Sequence, residues 1–438
     1  MRRATALFER IVEPGNLLDG YLKARKGKRR RPDVRLFSAD LDRSLETLRE
    51  KLCNRTYRCD RYRQFTIYDP KKRVISVAPF EDRVMHHAVM NLCGPVFERC
   101  LVYDSYACRP LKGTLAALAR GAVYTRRYRF FVKLDVRKYF DSIPHCVLKF
   151  QLGRLFKDRA LLSILDEIVD GYARFSKMRE AGLPIGNLTS QYFANHYLSG
   201  LDHWIKESLH VPGYVRYMDD MVLWGNSMSA LKACEERIRA YCADRLLLQL
   251  KTACGNSTSE GLPFLGFVLT PGRLALSSRS IRRTSRKLRT VERLLSKNRI
   301  DQTDAGNRAR ALLARTDWTN DGVHARLRIL GSCSRAETAL SAAAAGTTTP
   351  GGVAPPIATG TTRTTAGTTK VSVSSWPTAR REGRRSPVEP SSCPVPGGDT
   401  AVGGEAEKGG RAPVAAAAPN GERSRPPALF ERHRRDGE

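Results

Sequence analysis

The chain has 438 residues, with 75 lysines and arginines against 44 acids and a formal charge of +31. That length supports a substantial core in one multi-lobed domain or two smaller ones, and the charge points to a polyanionic partner, because clustered Lys and Arg displace counterions from phosphates. The eleven cysteines show no Cys-x-x-Cys pair or zinc-ribbon spacing, no leader is read ahead of the first charged residues, and no long uncharged run could cross a bilayer, so the expectation is reduced thiols in a cytoplasmic protein without a membrane partner.

Residues 1–60 read as a basic helical extension. Apolar positions recur at helical spacing from Leu17 to Leu22 and from Leu41 to Leu52, and the run Lys26-Gly-Lys-Arg-Arg-Arg31 between them suits a phosphate backbone. Period-two segments Phe65–Ile67 and Val74–Val77 then flank the turn Asp69-Pro-Lys-Lys72, the mark of a hairpin. Phe80 opens a helix. Arg73 and Arg83 offer planar, permanently charged forks to a triphosphate, although lone arginines are also ordinary surface residues.

Phe131-Val-Lys-Leu-Asp135 is an apolar strand ending in a carboxylate, which is costly to bury unless hydrated or bound to a cation. Residues 183–202 contain a turn through Gly186, whose missing side chain permits close approach to a flat ligand, followed by an amphipathic helix. In Gly213-Tyr-Val-Arg-Tyr-Met-Asp-Asp-Met-Val-Leu-Trp-Gly225 the pair Asp219-Asp220 falls where a β-hairpin would turn. Four letters alone also fit an ordinary acidic turn; Asp135 supplies a third carboxylate. Three carboxylates from adjacent strands can hold two Mg²⁺ ions, which activate a 3′-hydroxyl and neutralise a triphosphate. Leu246–Lys251 and Leu262–Phe267 are expected to continue the β framework, with Lys251 able to donate a proton or charge to a pyrophosphate leaving group. A strongly basic helix follows over 280–295, then two further helical stretches ending near Leu340.

In this order the motifs resemble a reverse transcriptase across about residues 60–335. The resemblance implies an α+β right-hand polymerase fold: the basic extension at 1–60, fingers and an antiparallel palm at 61–270, a helical thumb at 271–340, and a disordered tail at 341–438. It makes Asp135, Asp219 and Asp220 the catalytic, metal-binding triad, with the Val136 carbonyl as a further ligand and Mn²⁺ as an alternative to Mg²⁺. The incoming deoxynucleotide would meet Arg73, Arg83, Ile185, Gly186, Gln191 and Lys251, with Phe140 excluding a 2′-hydroxyl. Phe264, Leu265 and Gly266 would form the primer grip. Arg282, Arg283, Arg286, Lys287 and Arg289 would hold the RNA/DNA duplex through its backbone.

One departure narrows the resemblance. Most of the family has Gln before the glycine and Ser-Pro at the end of the motif; here Ile185 precedes Gly186 and the end reads Ser190-Gln191. This variant looks like the reverse transcriptases of diversity-generating retroelements, bacterial or phage enzymes of mutagenic retrohoming that copy template adenines carelessly. A branched apolar side chain in place of an amide against the nascent base pair removes a geometric check. The subclass implies a template-repeat RNA and a small basic accessory protein. The alternatives are an ordinary-fidelity retron-like or intron-derived reverse transcriptase and a catalytically idle RNA-binding protein. After about Ala345 the composition is that of a disordered segment, and the threonine-rich run 360–373 fits equally a plain basic tail or a gene end overlapping its own adenine-rich template repeat.

Overall fold

The structure, a computed structural model, describes residues 3–59, 61–68, 72–176 and 180–320. The expected N-terminal extension consists of α1 (Phe8–Ile11), α2 (Pro14–Arg25), α3 (Pro32–Ala39) and α4 (Leu41–Cys53). Proline opens α2 and α3, where its missing amide has no intrahelical partner to lose. The Asp40 carboxylate caps α4 by accepting from the Arg43 amide. The basic run 26–31 joins α2 to α3.

The hairpin β1 (Arg63–Tyr68) and β2 (Lys72–Val77) pairs Phe65 with Ile75, as the alternation predicts; its turn, 69–71, lies outside the described residues. α5 (Phe80–Arg99) follows and packs closely on α2, where a side chain at Gly20 would stand 2.8 Å from the Val84 carbonyl oxygen. After α6 (Thr114–Arg127) comes the central strand β3 (Phe130–Asp135), then α7 (Tyr139–Ser142), α8 (His145–Leu155), α9 (Arg159–Ser176), α10 (Leu188–Tyr197) and α11 (Ser199–Glu207). The strands β4 (Gly213–Tyr217) and β5 (Asp220–Gly225) form the acidic hairpin. α12 (Met228–Leu246) and β6 (Cys254–Ser257) complete an antiparallel sheet of order β4-β5-β3-β6. The free side of β4 is covered by residues 104–106, with the Tyr106 amide donating to the Arg216 carbonyl at 2.9 Å, so this edge is not left open.

Each face of the sheet covers its own core. Val132, Leu134, Met221 and Leu223 face the larger one, shared with the N-terminal helices, α5, α8 and α9. Phe131, Val215, Val222 and Trp224 face the second, shared with α6 and a three-stranded sheet of β7 (Leu262–Phe264), β8 (Phe267–Thr270) and β9 (Arg273–Leu276). α13 (Ser278–Ser296) and α14 (Gln302–Leu313) lie beyond it, α13 burying Ser285, Leu288 and Val291 on one stripe while Arg282, Arg286, Lys287 and Arg289 stay exposed.

The sequence expectation of a strand at Leu246–Lys251 is corrected. α12 runs to Leu246, and Leu247 takes a left-handed conformation (φ 51°) that ends the helix, with the Leu248 amide returning to the Cys242 carbonyl at 2.8 Å. Buried Leu246, exposed Leu247 and buried Leu248 imitate strand alternation, but only Leu250 bridges the sheet, opposite Val136. No disulfide is formed among the described cysteines. The last expected helix near Leu340 and the whole of the threonine-rich tail lie outside the described residues.

Candidate active site

Strand register brings the acids together. β3 and β5 set Asp135 opposite Asp220, and β4 and β5 set Tyr217 opposite Asp220, leaving Met218 and Asp219 as the turn. Met218 holds φ 60°, the left-handed geometry that a two-residue hairpin requires. All three acids therefore stand at one end of the sheet. Asp135 shares its face with Phe131, and Asp220 shares its face with Val222 and Trp224, so both point to the side of the second core. Asp135 does not cap the following helix: α7 starts after Lys138 with no side-chain cap.

Two of the carboxylates are ion-paired. Lys251 Nζ lies 2.7 Å from Asp135 Oδ2, and Lys133 Nζ lies 3.0 Å from Asp220 Oδ2. The other oxygen of each, Asp135 Oδ1 and Asp220 Oδ1, is buried without a hydrogen-bond partner. Such oxygens are costly unless a cation or donor meets them, and hard oxygen donors are what Mg²⁺ selects. Oxygens of this kind are the donors a divalent ion takes. Among the described residues, however, no three His, Cys, Asp or Glu side chains are gathered closely enough to hold one. Like-charged carboxylates repel, and here ammonium groups occupy the position of counterion. The strand register brings the three acids to one sheet end, and the carboxylates of Asp135 and Asp220 each meet a lysine there.

Burial pushes the Asp219 carboxyl up to about 6, with the neighbouring Asp135 and Asp220 charges adding to it. Burial also raises Asp220, against the pull of Lys133. A folded-state value above the unfolded one means that Asp219 contributes stability below about pH 4 that is lost as pH rises through about 6. In EDTA, wild-type Tm should therefore fall across that window, and Asp219→Asn should flatten the fall and be the more stable protein at pH 7. Mg²⁺ should restore the wild type. A scan of Tm against pH with and without EDTA checks the sign.

The remaining predicted residues divide into groups. Val136 is fully buried at the β3 end, and Phe140 is half-buried in α7, its ring 5.8 Å from that of Tyr139. The Ile185–Gly186 turn docks on the β1–β2 hairpin: the Ser76 amide donates to the Ile185 carbonyl at 3.1 Å, and a Cβ on Gly186 would stand 2.9 Å from Ile75 Cγ2. Gly186 also holds φ 111°, so glycine is required twice over. Gln191 is half-buried in the first turn of α10, and Arg73 is exposed on β2. Arg83 is turned to the N-terminal extension, its NH2 2.7 Å from Asp33 Oδ2 and its guanidinium over the Phe80 ring.

Phe264 is buried, while Leu265 (φ 49°) and Gly266 (φ 87°) make the β7–β8 turn. Ser280 Oγ donates to the Gly266 carbonyl at 2.6 Å and Arg315 NH2 donates to the Leu265 carbonyl at 3.0 Å, so the start of α13 and the short helical turn Ala314–Trp318 hold this hairpin from behind.

Two groups escape a sequence reading. One is Lys133. The other is Arg216 in β4, fully buried with Asp202 of α11: its Nε is 2.7 Å from Asp202 Oδ1, and its NH1 donates to the Met218 carbonyl at 3.0 Å and to Asn195 Oδ1 at 3.2 Å. A charge inside an otherwise apolar strand, as in Phe-Phe-Val-Lys133 and Gly-Tyr-Val-Arg216, was the available signal.

Residues 68–269 match the family described as reverse transcriptase (RNA-dependent DNA polymerase). This segment is a reverse transcriptase domain. Protein YkfC of Escherichia coli K12 is 26% identical over 324 residues, covering 64% of this chain and 81% of that protein. The group II intron-encoded protein LtrA of Lactococcus lactis subsp. cremoris is 25% identical over 138 residues, 31% of this chain and 23% of that protein. The chain spans only 16% of a Saccharomyces cerevisiae intron 2 protein that it also matches, and 17% to 19% of two further yeast intron proteins. Among solved structures, an apo telomerase from Candida tropicalis aligns with a TM-score of 0.44 at 11% identity, over 65% of this chain and 59% of that one. The architecture is the α+β right-hand polymerase fold, with an antiparallel sheet carrying the acids. No described helix is long and apolar enough to cross a membrane.

Proposed function

We propose that the chain is an RNA-directed DNA polymerase that extends a primer on an RNA template from deoxynucleotide triphosphates. The observation that carries this is the register of β3, β4 and β5, which puts Asp135, Asp219 and Asp220 at one sheet end with two carboxylate oxygens buried and unsatisfied. Divalent ions bound there, Mg²⁺ or Mn²⁺, would activate the 3′-hydroxyl and neutralise the triphosphate. Val136, beside Asp135, would lend its carbonyl. Lys251, beside Asp135, has the charge to meet the departing pyrophosphate. Phe140 would screen the sugar 2′ position, Arg73 would hold the triphosphate from the fingers, Arg83 would join it only by leaving Asp33, and the exposed arginines of α13 would track the duplex backbone.

The narrower reading is copying of a template-repeat RNA with errors opposite adenine, for diversification of a protein gene, in a bacterial or phage cytoplasm and with a small basic accessory protein. Its support is Ile185, in a turn braced against β2 by the Ser76 bond and placed where most of the family carries glutamine. An intron-derived or retron-like enzyme of ordinary fidelity is the second reading, favoured by the similarity to LtrA. Sequencing cDNA made on a defined RNA separates them. Errors concentrated at template adenines are expected for the wild type, and Ile185→Gln should lower them about tenfold, the scale on which one side chain discriminates in a pocket. Errors spread evenly over the four template bases would favour the second reading.

A further inference from the structure

We propose that Lys133 is a positioning residue that ties the hairpin holding the primer end to the acid Asp220, and that it gives up this acid oxygen when a divalent ion binds. The proposal rests on the polymerase reading above for the meaning of the hairpin. Lys133 lies in β3 two residues before Asp135, so both side chains leave the same face of the sheet. That face looks toward the second core and the β7–β8 hairpin. Lys133 Nζ reaches Asp220 Oδ2 at 3.0 Å and donates to the Pro263 carbonyl of β7 at 3.1 Å, and it lies 5.8 Å from the centre of the Phe264 ring. One ammonium therefore touches Asp220 and the strand leading into Leu265–Gly266. No hydrogen bond of the two backbones joins β3 to β7; they belong to different sheets.

The position of this bridge gives it two opposed effects. A lysine is a flexible point charge with three donors, so it can keep Pro263 while releasing a carboxylate. While it holds Asp220 Oδ2, it competes with a cation for that oxygen and repels the cation by its charge. It also fixes the distance between the acids and the hairpin, and misplacement of a reacting 3′-end by about 1 Å is enough to cost catalysis heavily. Removal of the ammonium should therefore tighten metal binding while loosening the primer end. Simple damage to the fold would weaken both.

The experiment compares wild type, Lys133→Met and Lys133→Arg in the full chain, with a defined RNA template annealed to a DNA primer. In EDTA, fluorescence anisotropy should show Lys133→Met binding this duplex about tenfold more weakly, the scale of one charge-assisted hydrogen bond. The slope of affinity against salt should stay unchanged, since a lost phosphate contact would reduce it by about one. Without nucleic acid, Mn²⁺ titration followed by electron paramagnetic resonance should show Lys133→Met binding the ion several-fold more tightly. Lys133→Arg should retain duplex binding within about threefold of wild type, because its fork can still reach Pro263. Equal duplex affinity for Lys133→Met and wild type, or looser Mn²⁺ binding in Lys133→Met, overturns the proposal. Neither measurement depends on turnover, so a chain that binds as described but extends no primer would refute the polymerase reading and leave the bridge standing.

Discussion

Replacement of Asp135 by Asn lowers primer extension by about four orders of magnitude, the scale seen when one member of a catalytic unit is removed, and leaves duplex binding in EDTA near that of the wild type. The change preserves shape and removes one charge. Asp135 is the only one of the three acids on β3; the other two come from the β4–β5 hairpin, so its loss leaves the site with carboxylates from one hairpin alone. Its Oδ1 is buried with no partner in the protein, and an amide there offers a weaker ligand to a hard cation. Lys251 would lose its ion pair at Oδ2, but that pair is partly solvent-exposed and contributes little to stability. Single-turnover extension on a defined RNA template, alongside anisotropy in EDTA, measures both arms. An Asp135→Asn chain that retained a tenth or more of wild-type extension would return the protein to the class of RNA binders that keep the fold without the reaction.

The second large effect is on stability. Asp202→Ala should cost about 3–5 kcal/mol, the range for stranding one partner of a buried ion pair, measured by chemical denaturation in the absence of nucleic acid. Asp202 and Arg216 are fully buried, and the carboxylate accepts from Arg216 Nε at 2.7 Å and 3.0 Å and from the Tyr214 hydroxyl at 2.7 Å. Burial by itself lowers the Arg216 pKa, and Asp202 more than reverses this, so the guanidinium stays charged inside the protein. Removal of the acid leaves that charge without its counterion. The same guanidinium donates to the Met218 carbonyl and to Asn195, so the turn carrying Asp219 loosens with it and extension should fall beyond what the lost stability explains. The double variant Asp202→Leu/Arg216→Met should be more stable than Asp202→Ala, because no lone charge remains. A cost below about 1 kcal/mol for Asp202→Ala would show that water or another group replaces the carboxylate.

These two sites differ in how much of them is visible before folding. Asp135, Asp219 and Asp220 stand out because strand alternation is a local property: an apolar period-two run that ends in acids announces both the strand and the cost of its last residue. The Gly186 turn and the stripe of α13 are local in the same sense, set by one backbone angle and by a 3.6-residue period. Composition likewise points toward a polyanionic partner, and motif order carries the resemblance to reverse transcriptases.

Only the tertiary structure decided where the charges ended. Arg83, read as a fork for triphosphate, is held by Asp33 from 50 residues earlier, and Lys133, unremarked in a β-strand, spans from Asp220 to Pro263. The Leu246–Lys251 run alternated like a strand and ended a helix instead, because Leu247 turns left-handed and exposed between buried Leu246 and Leu248. The three acids were likewise readable, but not the arrangement of their oxygens, two of which have lysines for company. Period and composition are properties of neighbours along the chain, whereas an ion pair depends on the register of strands and the packing of helices far apart in it. That is why the sequence alone determines which acids meet, and the fold determines which cations they meet.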